Sequence, residues 1–186
     1  MGVLRYASHG DVVKDPAVPV PEWSLNDVGR RQAEALAAAS WGPGVRRVVS
    51  SAEPKAMQMA GPFVAAHGLE LDVRAATGEV DRSSTGYLPE ARHTELANRL
   101  FAAPYESADG WERAADAQAR VREALADVLG AGGPDVLVVG HGAVGTFLWC
   151  ALNELAIART LDQDGPGHVW AFDLDTRSPL HAWTAI

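Results

Sequence analysis

Cysteine is almost missing from this chain of 186 residues, which carries only Cys150. A lone thiol allows no intramolecular disulfide, and its place in the apolar run from Val144 to Leu152 reads as a core thiol rather than a nucleophile. A reducing, cytoplasmic setting is the expectation. Basic clusters are missing as well: none exceeds the pairs Arg30-Arg31 and Arg46-Arg47, and 16 Lys+Arg stand against 24 Asp+Glu for a net charge of −8. That balance argues against a nucleic-acid surface, whose affinity depends on neutralising phosphates. Any phosphate the chain handles is expected to be small and locally bound. No stretch approaches the roughly 18 consecutive apolar residues of a membrane span. The opening MGVLRYASHGD places a histidine and an aspartate where a signal peptide needs an unbroken apolar run, so neither membrane nor export signal is expected. What is present is 47% hydrophobic residues. At this length a single domain buries about 70% of the surface its unfolded chain exposes, without disulfide or metal support.

Periodicity gives alternating strands and helices. Val3 to Ala7 is a β-prone run ending at Ser8-His9-Gly10, and a proline-rich loop follows from Asp11 to Trp23. Asn26 or Ser24 can cap a helix through Ala39, which Trp41-Gly42-Pro43-Gly44 stops. Val45 to Val49 is a second strand, and Ser50-Ser51 leads into a helix from Pro54 to His67, with proline in its first turn and Gly68 after it. Leu69 to Val73 is a short strand. The fifteen residues from Ala75 to Pro89 are longer than most connections and read as functional. Helices over about Glu90 to Ala102 and Trp111 to Leu129 resemble a small helical insertion, about 90–130, in one domain. Asp135 to Val139 is a nearly continuous apolar strand, as expected where helices cover both faces, and ends at Gly140-His141-Gly142 before another helix. Val169 to Leu174 and Leu180 to Thr184 close the chain. The fold class is α/β: a three-layer, doubly wound, mostly parallel sheet with helices on both faces.

In such sheets ligands bind beyond the carboxyl ends of the strands. Three polar clusters fall there: Ser8-His9-Gly10, Ser50-Ser51 with Lys55, and His141-Gly142. A histidine at a strand end can offer one ring nitrogen to a substrate while a backbone carbonyl fixes the other. Phosphoryl transfer needs an in-line attacker, donors for the equatorial oxygens and an acid for the leaving oxygen. His9 suits the first role. His141, the Gly142 N–H and Lys55 suit the second, and a carboxylic acid of the Gly78-Glu79-Val80-Asp81-Arg82 loop suits the third. No metal or other cofactor is called for.

In this order the segments WSLNDVGRRQAEALA, SSAEPKAMQMA and VVGHGAVGTFL resemble motifs of the histidine phosphatase superfamily, the phosphoglycerate-mutase-like fold, nearly end to end. The resemblance implies a phosphorylated histidine at His9, a second phosphate-binding histidine at His141 and an acid at Glu79, with Asp81 as the other candidate in that loop. Lys55 matches an arginine of the family. Ser8 departs from the pattern, standing where the family has the arginine that clamps phosphate. One lost oxyanion donor costs about 2.7–4 kcal/mol, and lysine supplies a point charge in place of a planar fork. Arg82, three residues after Glu79, can swing in to restore the charge; Arg5 is a weaker candidate.

The resulting expectation is metal-free hydrolysis of a small phosphomonoester through a phosphohistidine, with Ser8, Lys55, Arg82 and Gly142 around the phosphate. The alternative is a catalytically weakened member that binds a phosphorylated ligand as a sensor or interaction protein. A metal-dependent hydrolase built on His9, His141 and Asp81 lacks the H-x-H or H-E-x-x-H spacing such sites use. His67, His93, His168 and His181 receive no role, the tryptophans read as core anchors with Trp23 placed to line the pocket, and nothing marks an oligomer interface.

Overall fold

The computed structural model describes residues 2–130 and 132–186. Six strands form one sheet: β1 (Val3–Ser8), β2 (Val45–Ser50), β3 (Leu71–Val73), β4 (Asp135–Gly140), β5 (His168–Asp173) and β6 (Ser178–Ala185), in the order β3-β2-β4-β1-β5-β6. β3, β2, β4 and β1 run parallel, whereas β5 and β6 add antiparallel at the β1 edge. The helices are α1 (Asp27–Ala37), α2 (Pro54–His67), α3 (Glu90–Ala102), α4 (Ala114–Ala124) and α5 (Gly142–Leu152).

Strand alternation sorts the core into two faces. Ala7, Val48, Leu137 and Val139 point to the side covered by α1 and α2, where they meet Leu36, Met59 and Phe63. Leu4, Tyr6, Val136 and Val138 point the other way and pack with Val121 of α4 and with Leu148 and Trp149 of α5. This is the expected three-layer, mostly parallel α/β fold. A third cluster joins Leu96, Leu100 and Phe101 of α3 to Trp111, Val144 and Phe147, which stands α3 beside the first turns of α5. Within the stretch 90–130, then, α3 flanks the carboxyl ends of the strands while α4 lies in a helix layer.

Local chemistry explains most boundaries. Asn26 caps α1, its side-chain oxygen accepting from the Val28 and Gly29 N–H groups. α2 starts on Pro54 and stops at Gly68, which takes the left-handed conformation (φ 62°) that glycine adopts without steric cost. The Leu69 N–H returns to Val64 O, so β3 begins at Leu71 and not at Leu69. α4 is shorter than the expected Trp111 to Leu129. Trp111 is drawn into the third cluster, and the Val128 N–H bonds to Leu125 O in a tightened last turn. The turn after β1 lies close against α1: a Cβ on Gly10 would lie 2.7 Å from both Gly29 Cα and Gln32 Oε1, and one on Gly29 would lie 2.1 Å from Asp11 O.

Candidate active site

Parallel register brings three strand ends level. Ser8 pairs with Gly140 and Ser50 with Val139, so His9, Ser51 and His141 emerge together. The His9 and His141 rings meet edge to face, 5.3 Å between centroids. His9 donates from Nδ1 to its neighbour's carbonyl, Gly10 O, at 2.7 Å, leaving the lone pair on Nε2. Burial, with the charges of Lys55 and Arg82 acting in the same direction, pulls its pKa down to about 4, so the ring is neutral at pH 7.

His141 is fully buried and held from two sides. The Tyr6 hydroxyl accepts from the His141 N–H (3.0 Å) and donates to the His141 carbonyl (3.2 Å). Its Nε2 lies 2.8 Å from Ser51 Oγ and 3.3 Å from Glu53 Oε1. Its Nδ1 has no hydrogen-bond partner among the described residues. Burial, then His9, Lys55 and the nearby arginines, lower its pKa well below the usual imidazole range.

Glu53, the residue before α2, ties these parts together. One carboxylate oxygen accepts the Glu79 N–H at 3.0 Å, and the other pairs with the Lys55 ammonium. The buried Lys55 also donates to Val20 O at 3.0 Å. The Glu79 carboxylate lies against the start of α5, within 3.3–3.4 Å of the Val144 and Ala143 N–H groups, and accepts from the Val80 N–H at 2.9 Å. Burial nevertheless raises its pKa, with Arg82 and the Val80 N–H opposing. Asp81 is exposed, and its carboxylate accepts the Ser83 N–H at 2.8 Å, which lowers its pKa. Of the two loop acids, Glu79 is the more buried one and the one whose pKa burial raises. Arg120 of α4 braces this loop by donating to Ala76 O (2.9 Å), Gly78 O (3.1 Å) and Glu79 O (3.3 Å).

Two small clefts of 300 and 280 Å³ open on His9, both lined by Lys14, Arg82 and His93. Gly142 lines the first; Lys55 and Trp23 line the second. A larger cleft of 710 Å³ shares Glu79 and Arg82 with the first but does not reach His9. Glu79 therefore stands at the boundary between the large cleft and the one that holds His9. Ser8 lines none of the three. Its side chain is buried, with the hydroxyl 3.1 Å from the His168 N–H it accepts, so the hydroxyl is spent on the sheet instead of facing a ligand. Arg5 is spent too, on Asp135 at 2.9 Å.

Ser51 belongs to a cluster the sequence marked, but Tyr6, Glu53, His93 and Arg120 received no role from it. Glu53 carried a signal, an acid two positions before Lys55 at a helix start. Tyr6 and Arg120 act through partners dozens of residues away, and His93 through Arg82, 11 positions back across a loop, which local pattern does not reveal.

Comparison with known proteins agrees with this layout. The description "Histidine phosphatase superfamily (branch 1)" matches residues 12–177, beginning just after the His9 turn. No curated protein matches. Among solved structures, mycobacterial glucosyl-3-phosphoglycerate phosphatase superposes with a TM-score of 0.80 at 24% identity, over 100% of this chain and 99% of that one. Its complex with inorganic phosphate gives 0.78 at 23%, over 93% and 90%. Phosphoserine phosphatase from Entamoeba histolytica, in complex with 3-phosphoglyceric acid, gives 0.79 at 14%, over 100% and 98%. At these identities the structures attest the fold, and the match over most of the chain attests the lineage: this protein belongs to the histidine phosphatase superfamily, branch 1.

Proposed function

We propose that the chain hydrolyses a small phosphomonoester without a metal, through a phosphohistidine on His9. The observation that carries the reading is the tautomer of His9. The Gly10 carbonyl accepts the hydrogen bond from Nδ1–H and so leaves a neutral ring with its lone pair on Nε2, at the wall of two clefts. Nε2 attacks phosphorus, the bond to the leaving oxygen breaks, and Glu79 gives that oxygen its proton. Water then attacks the phosphohistidine and returns a proton to Glu79. The N–P bond breaks and inorganic phosphate leaves. Arg82, Lys55, the Gly142 N–H and His141 answer the charge on the phosphate oxygens, and Ser8 is left out of that set because its hydroxyl is engaged by His168. The shifts of His9 and Glu79 run in opposite directions, the ring held neutral and the carboxyl's hold on its proton strengthened by burial, which is the direction an acid–nucleophile pair needs. The leaving group fits the larger cleft, which Glu79 borders.

The test is hydrolysis of an aryl phosphate between pH 5 and 7 in EDTA, with quenched samples examined for an acid-labile, base-stable phosphoryl adduct. Wild type is expected to turn over and to form the adduct. His9→Ala is expected to lose both, by on the order of a thousandfold or more in rate. Turnover that survives His9→Ala refutes the mechanism. Absence of wild-type turnover, with activity appearing in Ser8→Arg, favours instead a phosphate-binding relative that lost its chemistry at position 8.

A further inference from the structure

Arg82 is the arginine shared by all three clefts, and it is held in a closed circuit of contacts. Its guanidinium donates to Nε2 of His93 on α3 and lies 5.5 Å above the Trp111 ring. The His93 and Trp111 rings are 5.6 Å apart. The Trp111 indole N–H donates to Thr85 Oγ1 at 2.8 Å, and both the Thr85 hydroxyl (3.3 Å) and its N–H (3.1 Å) return to the Arg82 carbonyl. Trp111 itself is buried among Leu96, Leu100 and Phe147, so the circuit is anchored in the core beneath α3.

Loop arginines ordinarily sample many rotamers, and a phosphate that must order one gives up affinity to do so. Here the ordering is done before any ligand arrives. The circuit also requires a particular form of His93. A guanidinium only donates, so Nε2 must be unprotonated. Burial and the charges that face His93 from three elements, Arg82 of the loop, Arg159 and Lys14, keep it so, with its pKa near 4.

We propose that His93 and Trp111 are positioning residues that hold the Arg82 guanidinium beside His9, where it supplies the phosphate-directed charge that Ser8 does not. The proposal rests on the phosphatase reading above and extends it. The site has replaced a clamp on the sheet by one carried on a loop and braced by a helix.

Inorganic phosphate is the probe, its binding measured by calorimetry at pH 7 and its competition by inhibition of aryl phosphate hydrolysis. Arg82→Ala and His93→Leu are each expected to weaken phosphate about tenfold or more, as loss of a charged hydrogen-bond partner does. His93→Gln, whose amide oxygen can accept the same bond, is expected to stay within about threefold of wild type. Leucine fills volume as well as glutamine does, so recovery in the glutamine variant alone separates holding from packing. If His93→Leu does not fold, Trp111→Phe carries the test: it keeps a ring under the guanidinium but loses the bond to Thr85, with about threefold weakening expected. Wild-type phosphate affinity in His93→Leu or in Trp111→Phe, beside a weakened Arg82→Ala, overturns the positioning role. Wild-type affinity in Arg82→Ala overturns the whole proposal. Neither result touches the His9 adduct, whose absence alone would sink the phosphatase reading.

Discussion

The floor and the wall of the site are built by different means. The floor comprises His9, Ser51, Lys55 and His141, which sit at the ends of β1, β2 and β4 or in the first turn of α2, fixed by parallel register and by buried bonds to backbone. The wall comprises Glu79 and Arg82 on the long connection after β3, together with His93 and Trp111, fixed by side-chain contacts to α3, α4 and the start of α5. Moving a floor residue means moving the sheet. Moving Glu79, Arg82 or His93 means breaking a few side-chain bonds, with Trp111 alone of the wall set in the core. The proposed nucleophile belongs to the first kind of structure, the proposed acid and the loop arginine to the second.

The sharpest break in that contrast is at Glu79. Glu79→Gln, unable to give a proton, is expected to lower kcat by about 10²–10⁴-fold with little change in phosphate binding. The pH profile sharpens the same point. Activity should fall on the acid side near pH 4, where His9 gains a proton and loses its lone pair, and on the alkaline side as Glu79, its pKa raised by burial, gives up its own. In Glu79→Gln the alkaline limb should disappear while the acid limb stays. An alkaline limb that persists would assign it to another group.

The floor is probed next by Tyr6→Phe. The variant keeps the ring, stacked on Trp170 at 5.3 Å, but strands the buried His141 N–H. A loss of about 1–3 kcal/mol in unfolding free energy is expected from denaturant titration, larger than any loss from a wall residue exposed to solvent. The smallest effect is expected at Asp81→Asn. Its carboxylate serves one turn and faces water, so rate and stability should stay within about twofold and 0.5 kcal/mol of wild type. A hundredfold loss there would move the acid from Glu79 to Asp81.

The same contrast explains what the sequence disclosed. Capping at Asn26, the Pro54 start and the Gly68 stop are local chemistry, and so are the apolar strand before His141 and the strand-end histidines; these could be read in order along the chain. The wall could be read only as a list of candidates. Whether Glu79 or Asp81 holds the proton depends on which is buried against α5, and Arg82 matters through His93, a histidine with no local mark. Ser8 was legible as an odd residue before His9. That its hydroxyl binds the His168 backbone depends on a pairing across 160 positions.

The meeting of Gly10 and Gly29 bears on how this scaffold tolerates change. Helix α1 meets the His9 turn with the Gly29 backbone and with the Gln32 side chain, whose amide oxygen accepts the Asp11 N–H at 2.9 Å; the backbone part of that contact cannot adjust to make room. A library that varies residues 81–90 and the exposed face of α3 would leave His9 where it is. One methyl group at position 10 or 29 would meet backbone of the opposite element and would have to push the helix and the turn apart.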